Sequence, residues 1–135
     1  IGGGLNQRLG LYDGILIKEN HIAALGSVDN AFLAATKINK QNGNELPIQI
    51  EVENLNELES AIIAGAKLIL LDNFDISTLK AAVKLNAKRA ILEASGGIDI
   101  SNVREVALTG VDRISIGDLT KNISAIDLSM RFSNI

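Results

Sequence analysis

Five short strand-like segments, β-branched or leucine-rich and ending abruptly with polar or charged residues, constrain what this chain can fold into. They run from Gly14 to Lys18, from Pro47 to Glu53, from Leu68 to Asp72, from Ala90 to Ser95 and from Arg113 to Gly117. Side chains along a strand point alternately to opposite faces. Leu16 and Lys18 therefore share one face, as do Gln49, Glu51 and Glu53. Leu68, Leu70 and Asp72 line up in the same way, as do Ile91, Glu93 and Ser95, and then Arg113, Ser115 and Gly117. The other faces carry Ile48/Ile50/Val52, Ile69/Leu71, Leu92/Ala94 and Ile114/Ile116, which suit packing under helices. A lysine, several carboxylates and a serine thus converge on one side at the carboxyl ends of strands. In a parallel α/β barrel that end is where active sites are built.

Between the strands lie helix signals. Ser27 is expected to cap a helix to about Asn39, and Asn54 one over residues 55–64, with Glu57 placed as in a capping box. Asp75 is expected to cap residues 76–85 and Ser101 residues 102–108, with Gly65 and Gly110 at C-terminal stops. The one loose stretch runs from Gln41 to Pro47. Strands that alternate with helices of about ten residues indicate βα units and a parallel sheet. From residue 48 the strands begin about every 20 to 23 residues, the compact repeat of a barrel. A complete eightfold barrel needs roughly 200 residues or more. The expected fold is α/β, an incomplete parallel TIM-like barrel with five strands in 135 residues.

Composition narrows the function classes. The 47% hydrophobic content supports a packed core, and a net charge of −3 with interspersed signs gives no electrostatic case for nucleic acid or a membrane surface. No apolar run approaches the roughly 18 residues that span a bilayer. Without cysteine, neither a disulfide framework nor a thiolate metal site is possible. The expectation is a soluble cytoplasmic protein. The chain opens Ile1-Gly-Gly-Gly and its one methionine is Met130, so it is expected to be part of a longer polypeptide.

Glu51 and Asp72 are inward carboxylates at neighbouring strand ends. Such oxygen donors suit Mg²⁺, which takes one or two carboxylates plus substrate phosphates; an ion pair with Lys18 or Arg113 is the structural alternative. Lys18 could equally be solvated, and Glu53 and Glu93 fit supporting or rim positions. Ser95-Gly96-Gly97 and Gly117-Asp118-Leu119-Thr120 each follow a strand and precede a helix, the arrangement that cradles phosphate after the last strands of many barrels. A Gly-Gly pair is also an ordinary turn. Gly2-Gly3-Gly4 with Asn6 and Arg8 could form a further loop, with Arg8 as an anion fork. His21, the single histidine, is expected to order the loop beyond Lys18. A Cys-His dyad is excluded, and no nucleophile elbow accompanies the one histidine, so catalysis should be electrostatic.

Taken together and in order, Gly2 to Asp13, Leu16-Ile-Lys18-Glu-Asn-His21, Glu51-Val-Glu-Asn-Leu55, Leu70-Leu-Asp72-Asn-Phe74, Leu92-Glu93-Ala-Ser95-Gly-Gly97 and Thr109 to Lys121 resemble the quinolinate phosphoribosyltransferases, also called nicotinate-nucleotide pyrophosphorylases. The resemblance covers nearly the whole chain. It implies transfer of phosphoribose from phosphoribosyl pyrophosphate (PRPP) to quinolinate, followed by decarboxylation, giving nicotinate mononucleotide, CO₂ and pyrophosphate in NAD synthesis. It implies that Arg8 and Lys18 are cations for the quinolinate carboxylates and PRPP. Glu51 and Asp72 would position Mg²⁺ and the ribose–pyrophosphate. Ser95, Gly96, Gly97 and Gly117 would bind the 5′-phosphate, with Lys121 nearby. Lys18, Glu51 and Asp72 are the expected catalytic residues, and a homodimer or larger assembly is expected.

The resemblance departs at Gln7, where the family pattern has histidine. An amide donates a hydrogen bond to a carboxylate but carries no charge, so quinolinate affinity is the property touched. The family's N-terminal sandwich domain, early barrel strands and Asp-Thr-Arg-Lys-Thr segment have no counterpart in these residues, so residues 1–135 correspond to the C-terminal portion of the barrel domain. Two other readings stand beside this one. One is a related phosphoribosyltransferase-like enzyme with another substrate; the other is a non-catalytic half-barrel that binds a phosphate ligand or a complementary chain.

Overall fold

Five parallel strands form a single sheet in the order β1-β2-β3-β4-β5. They are β1 (Ile15–Ile17), β2 (Ile48–Val52), β3 (Leu68–Asp72), β4 (Ile91–Ser95) and β5 (Arg113–Ile114). The helices between and after them are α1 (Glu19–Leu25), α2 (Val28–Gln41), α3 (Leu55–Ile63), α4 (Ile76–Asn86), α5 (Val103–Ala107) and α6 (Asp118–Lys121). The structure is a computed structural model that describes residues 3–43 and 45–133. Gly2 of the glycine triplet and Asn44 of the loose stretch lie outside the described residues. Among the described residues, no helix is long and apolar enough to cross a membrane.

The register fixes the faces. Glu51, Leu70, Glu93 and Arg113 occupy one row across β2 to β5, and Val52, Leu71, Ala94 and Ile114 the next. Rows alternate in direction, so the two faces inferred from alternation are the two faces observed. On the outer face Ile50, Val52, Ile69, Leu71, Leu92 and Ala94 are fully buried. The helices pack there with matching spacing, Leu58/Ala61/Ile62 from α3 and Leu79/Ala82 from α4. This is the i, i+3, i+4 stripe of an amphipathic helix. Each buried aliphatic side chain contributes roughly 1.5–3 kcal/mol relative to exposure.

Local chemistry sets most element ends. Ser27, Asn54 and Asp75 accept from the backbone N–H three residues on, at 3.3, 3.0 and 2.6 Å. The Glu57 carboxylate returns to the Glu53 N–H at 2.9 Å, which closes the start of α3. Asn39, buried near the end of α2, donates to the Leu46 carbonyl at 2.9 Å and ties down the stretch before β2.

Several boundaries differ from the expectation. Ser101 does not cap α5: its hydroxyl and its N–H both turn back to the Asp99 carboxylate, and the helix begins at Val103. An aspartate two residues earlier outcompetes the serine for local bonding. β5 pairs at Arg113 and Ile114 and goes no further, with one more backbone bond from Ser115 N–H to the Ala94 carbonyl at 2.9 Å. The helix α1 follows β1 directly, and α6 is a single turn.

Candidate active site

The inner face of the sheet carries a cavity of about 1040 Å³. Its walls come from three places: the loop before β1 (Gln7, Arg8, Gly14), the strands (Leu16, Gln49, Leu68, Glu93, Ser95, Arg113) and the segment after β5 (Ser115, Gly117, and Thr120 of α6). Arg8, Ser95 and Gly117, three residues singled out from sequence, are brought together here. The Arg8 guanidinium also reaches the Gly14 carbonyl at 3.4 Å, which closes the base of its own loop.

A second recess of about 330 Å³ is lined by Glu19, Asn20, Ile22, Ala23, Glu51, Glu53 and Glu57. Glu51 stands at its wall with Lys18 Nζ 4.0 Å from Oε2. The Lys18 side chain is half exposed, so this long ion pair contributes at most about 1 kcal/mol. Burial raises the Glu51 pKa above its ordinary value, Lys18 pulls it down and Asp72 pushes it up again. The Glu51–Lys18 pair weighed from sequence therefore exists. The Arg113 alternative does not, since Lys18–Glu51 is the one ion pair among the described residues.

Asp72 ends β3 in register with Ser95 on β4 and accepts from the Asn73 amide at 2.8 Å. Strand neighbours sit about 4.8 Å apart, so Asp72 lies beside Ser95 of the cavity wall, but neither Asp72 nor Lys18 lines either hollow. Among the described residues no three His, Asp or Glu side chains are placed to hold a metal by themselves. Two carboxylates are nevertheless a donor set that Mg²⁺ accepts when substrate phosphates complete it, so Glu51 and Asp72 fit that ion.

Other candidates sit outside both hollows. His21 Nδ1 accepts the Lys18 N–H at 2.9 Å and so orders the start of α1, the role expected of it. Gly96 has φ +98°, and a Cβ there would run into Asn73, so a close approach within the protein already requires this glycine. Gly97 has φ +59° and its carbonyl accepts from Asn102 at 2.9 Å. Lys121 is exposed at the end of α6, and a Cβ on Gly117 would meet nothing nearer than its Cε at 3.9 Å.

The inner face also holds a polar chain. Gln7 Nε2 donates to Gln49 Oε1 at 2.7 Å, and Gln49 Nε2 donates to Glu93 Oε2 at 3.0 Å. The Ser115 hydroxyl donates to the other oxygen of Glu93. Gln49 and Glu93 are buried. Gln49 and Ser115 did not stand out in the sequence, although strand alternation puts both on this face; a neutral amide and a lone serine give no signal of their own.

The sequence profile of a family described as quinolinate phosphoribosyl transferase, C-terminal domain, matches residues 1–131. The chain is 43% identical over 129 residues to a probable nicotinate-nucleotide pyrophosphorylase (carboxylating) of Bacillus subtilis, covering 96% of this chain and 44% of that protein. It is 40% identical over 133 residues to the Mycobacterium leprae nicotinate-nucleotide pyrophosphorylase (carboxylating), covering 96% and 45%. Among solved structures, the nicotinate-nucleotide pyrophosphorylase from Francisella tularensis superposes with a TM-score of 0.87 at 44% identity, covering 95% of this chain and 44% of that one. The chain thus spans a little under half the length of these relatives.

Proposed function

Because the chain belongs to the quinolinate phosphoribosyl transferase C-terminal domain family, we propose that it forms part of a site that joins quinolinate to PRPP in NAD synthesis. The observation that carries this reading is convergence: Arg8, Ser95 and Gly117, far apart in sequence, line one cavity on the inner face of a parallel sheet.

The quinolinate ring nitrogen attacks ribose C1 while the C1–O bond to pyrophosphate breaks, and pyrophosphate leaves with the electron pair. The carboxylate next to the ring nitrogen then departs as CO₂. Its bonding electrons stay on the ring carbon, beside the positive nitrogen, until a proton adds there.

Each step asks something of the residues present. The breaking C1–O bond builds positive charge on the ribose, and fixed carboxylates such as Glu51 and Asp72 stabilise it without reorganising. Arg8 offers a planar fork for a carboxylate. Gly117, with no side chain, leaves room for phosphate to approach the backbone. Lys18 offsets the desolvation of Glu51 and stands ready for an anionic substrate group. Glu51 and Asp72 are the residues assigned to Mg²⁺, which when bound supplies charge neutralisation at the pyrophosphate. Gly96, Gly97 and Lys121 flank the phosphate end.

The resemblance places further substrate cations in an Asp-Thr-Arg-Lys-Thr segment that does not occur in these 135 residues. Turnover therefore needs a second polypeptide segment, and a homodimer or larger assembly in the cytoplasm is the expected working form.

The test is formation of nicotinate mononucleotide from quinolinate and PRPP by the protein that carries this chain. Asp72→Asn is expected to lower turnover about a hundredfold, the scale of one lost electrostatic contact, while quinolinate binding alone changes little. Near-normal turnover of the variant at saturating Mg²⁺ and PRPP removes the Asp72 assignment. Absence of product from the unaltered protein removes the function.

A further inference from the structure

The loop from Gly3 to Gly14 lies over the sheet with little packing to hold it: Leu5, Leu9 and Leu11 are 97%, 74% and 84% exposed. Most of its hydrogen bonds are internal. Leu9 and Gly10 N–H groups reach the Asp13 carboxylate, Asp13 N–H reaches the Gly10 carbonyl, and Arg8 reaches the Gly14 carbonyl. Among the described residues, a single side-chain hydrogen bond leaves the loop for the sheet, from Gln7 to Gln49.

The direction of that bond is set from behind. A carboxylate only accepts, so Glu93 requires Gln49 to present its NH₂, and the Gln49 carbonyl oxygen is left facing Gln7. Ser115 occupies the other carboxylate oxygen and keeps Glu93 from turning. Glu93 and Gln49 are only 5% and 8% exposed, so the bond between them is shielded from water. Gln7 precedes Arg8, and its Nε2 is directed at the sheet.

We infer that Gln49, oriented by Glu93, is a positioning residue that holds the Arg8 loop against the sheet, and that Gln7 serves this anchorage and is not a ligand contact. The link to substrate rests on the function proposed above; the anchorage does not.

Limited trypsin digestion followed by mass spectrometry reads the anchorage directly, because Arg8 is itself a cleavage site. Gln49→Leu and Gln7→Ala should each speed cleavage after Arg8 about fivefold, the factor expected for one net hydrogen bond. Cleavage after Lys40, at the far end of α2, should not change. Gln7 lies on the exposed loop, so its variant reports even if Gln49→Leu folds poorly. An unchanged rate after Arg8, or equal acceleration at both sites, overturns the inference.

In the active protein, Gln49→Leu should raise KM for quinolinate about fivefold, the same hydrogen-bond factor, and leave KM for PRPP in place. In an Arg8→Ala background it should add nothing further, because residues that act through one another are not additive. Additive losses overturn the link to Arg8. If the unaltered protein makes no nicotinate mononucleotide, the proposed function falls, and the digestion still decides the anchorage.

Discussion

At Glu51 desolvation and neighbouring charges act against each other. Burial is the largest effect and raises its pKa, Lys18 opposes it, and Asp72 reinforces it. A carboxyl with a folded pKa above its unfolded one binds its proton more tightly when folded. Its penalty on stability is absent below the ordinary glutamate value, grows as pH rises towards the raised value, and is complete above it. Glu51→Gln should therefore raise Tm more at about pH 7 than at about pH 4, below the ordinary glutamate value, while turnover falls. Equal gains at both pH values would remove desolvation as the cause. Two glycines show a different separation of roles. Gly96 combines φ +98° with contact against Asn73, so Gly96→Ala should cost about 1–3 kcal/mol of stability, read by urea denaturation. Gly117 has ordinary dihedrals, and a Cβ there would meet only the flexible Lys121 side chain at 3.9 Å, so Gly117→Val should fold with nearly unchanged Tm. It should weaken PRPP and nicotinate mononucleotide far more than quinolinate in calorimetric titrations. Equal weakening of all three would take the phosphate role away from this loop.

Elements were legible where one residue type settles the matter locally. Ser27, Asn54 and Asp75 cap as expected, because each side-chain oxygen has a helix N–H three residues away and no stronger rival. Asn54→Ala should cost about 1 kcal/mol, seen as a lower urea midpoint with an unchanged slope. A changed slope would mean that the unfolded or native state had altered instead. Asp75 has its pKa lowered, chiefly by the Thr78 N–H it accepts, so its stabilisation holds above the ordinary aspartate range and is lost as pH falls through the depressed value. Legibility ends where two residues compete or where the partner is distant. Ser101 looked like a cap, but Asp99 binds it first. The end of β5 depends on how far β4 extends beside it, which alternation does not reveal. Gln49 was placed on the right face by its period, yet its partners Gln7 and Glu93 lie 42 and 44 residues away. Only the strand order brings them together. The candidate site divides in the same way: the facing of Glu51, Asp72 and Ser95 follows from strand alternation, whereas the separation of the acidic recess from the Arg8 cavity depends on where the loop and α1 come to rest.

At the scale of the whole molecule the sheet is covered on one side only. Parallel sheets are stable with both faces buried, and here the helices cover the outer face while the inner one holds an open cavity with Ile91 38% exposed. β1 and β5 each pair with one neighbour, so both carry unpaired backbone groups along an edge. Beyond α6, Ile126, Leu128, Met130 and Phe132 alternate with polar residues and are each at least 81% exposed. Edges and apolar surface of this extent bind one another in water. The 135 residues on their own should accordingly associate, and light scattering after size exclusion should give a mass above the 14.3 kDa of one chain. They should also show no phosphoribosyl transfer, because Arg8, Lys18 and Lys121 are few cations for two highly anionic substrates. Addition of a polypeptide that carries the missing Asp-Thr-Arg-Lys-Thr cations should restore turnover and reduce the association together, since one partner would cover the edges and complete the site. A single-chain species that turns over quinolinate unaided would contradict both expectations at once, and would show that Arg8, Lys18, Glu51 and Asp72 suffice.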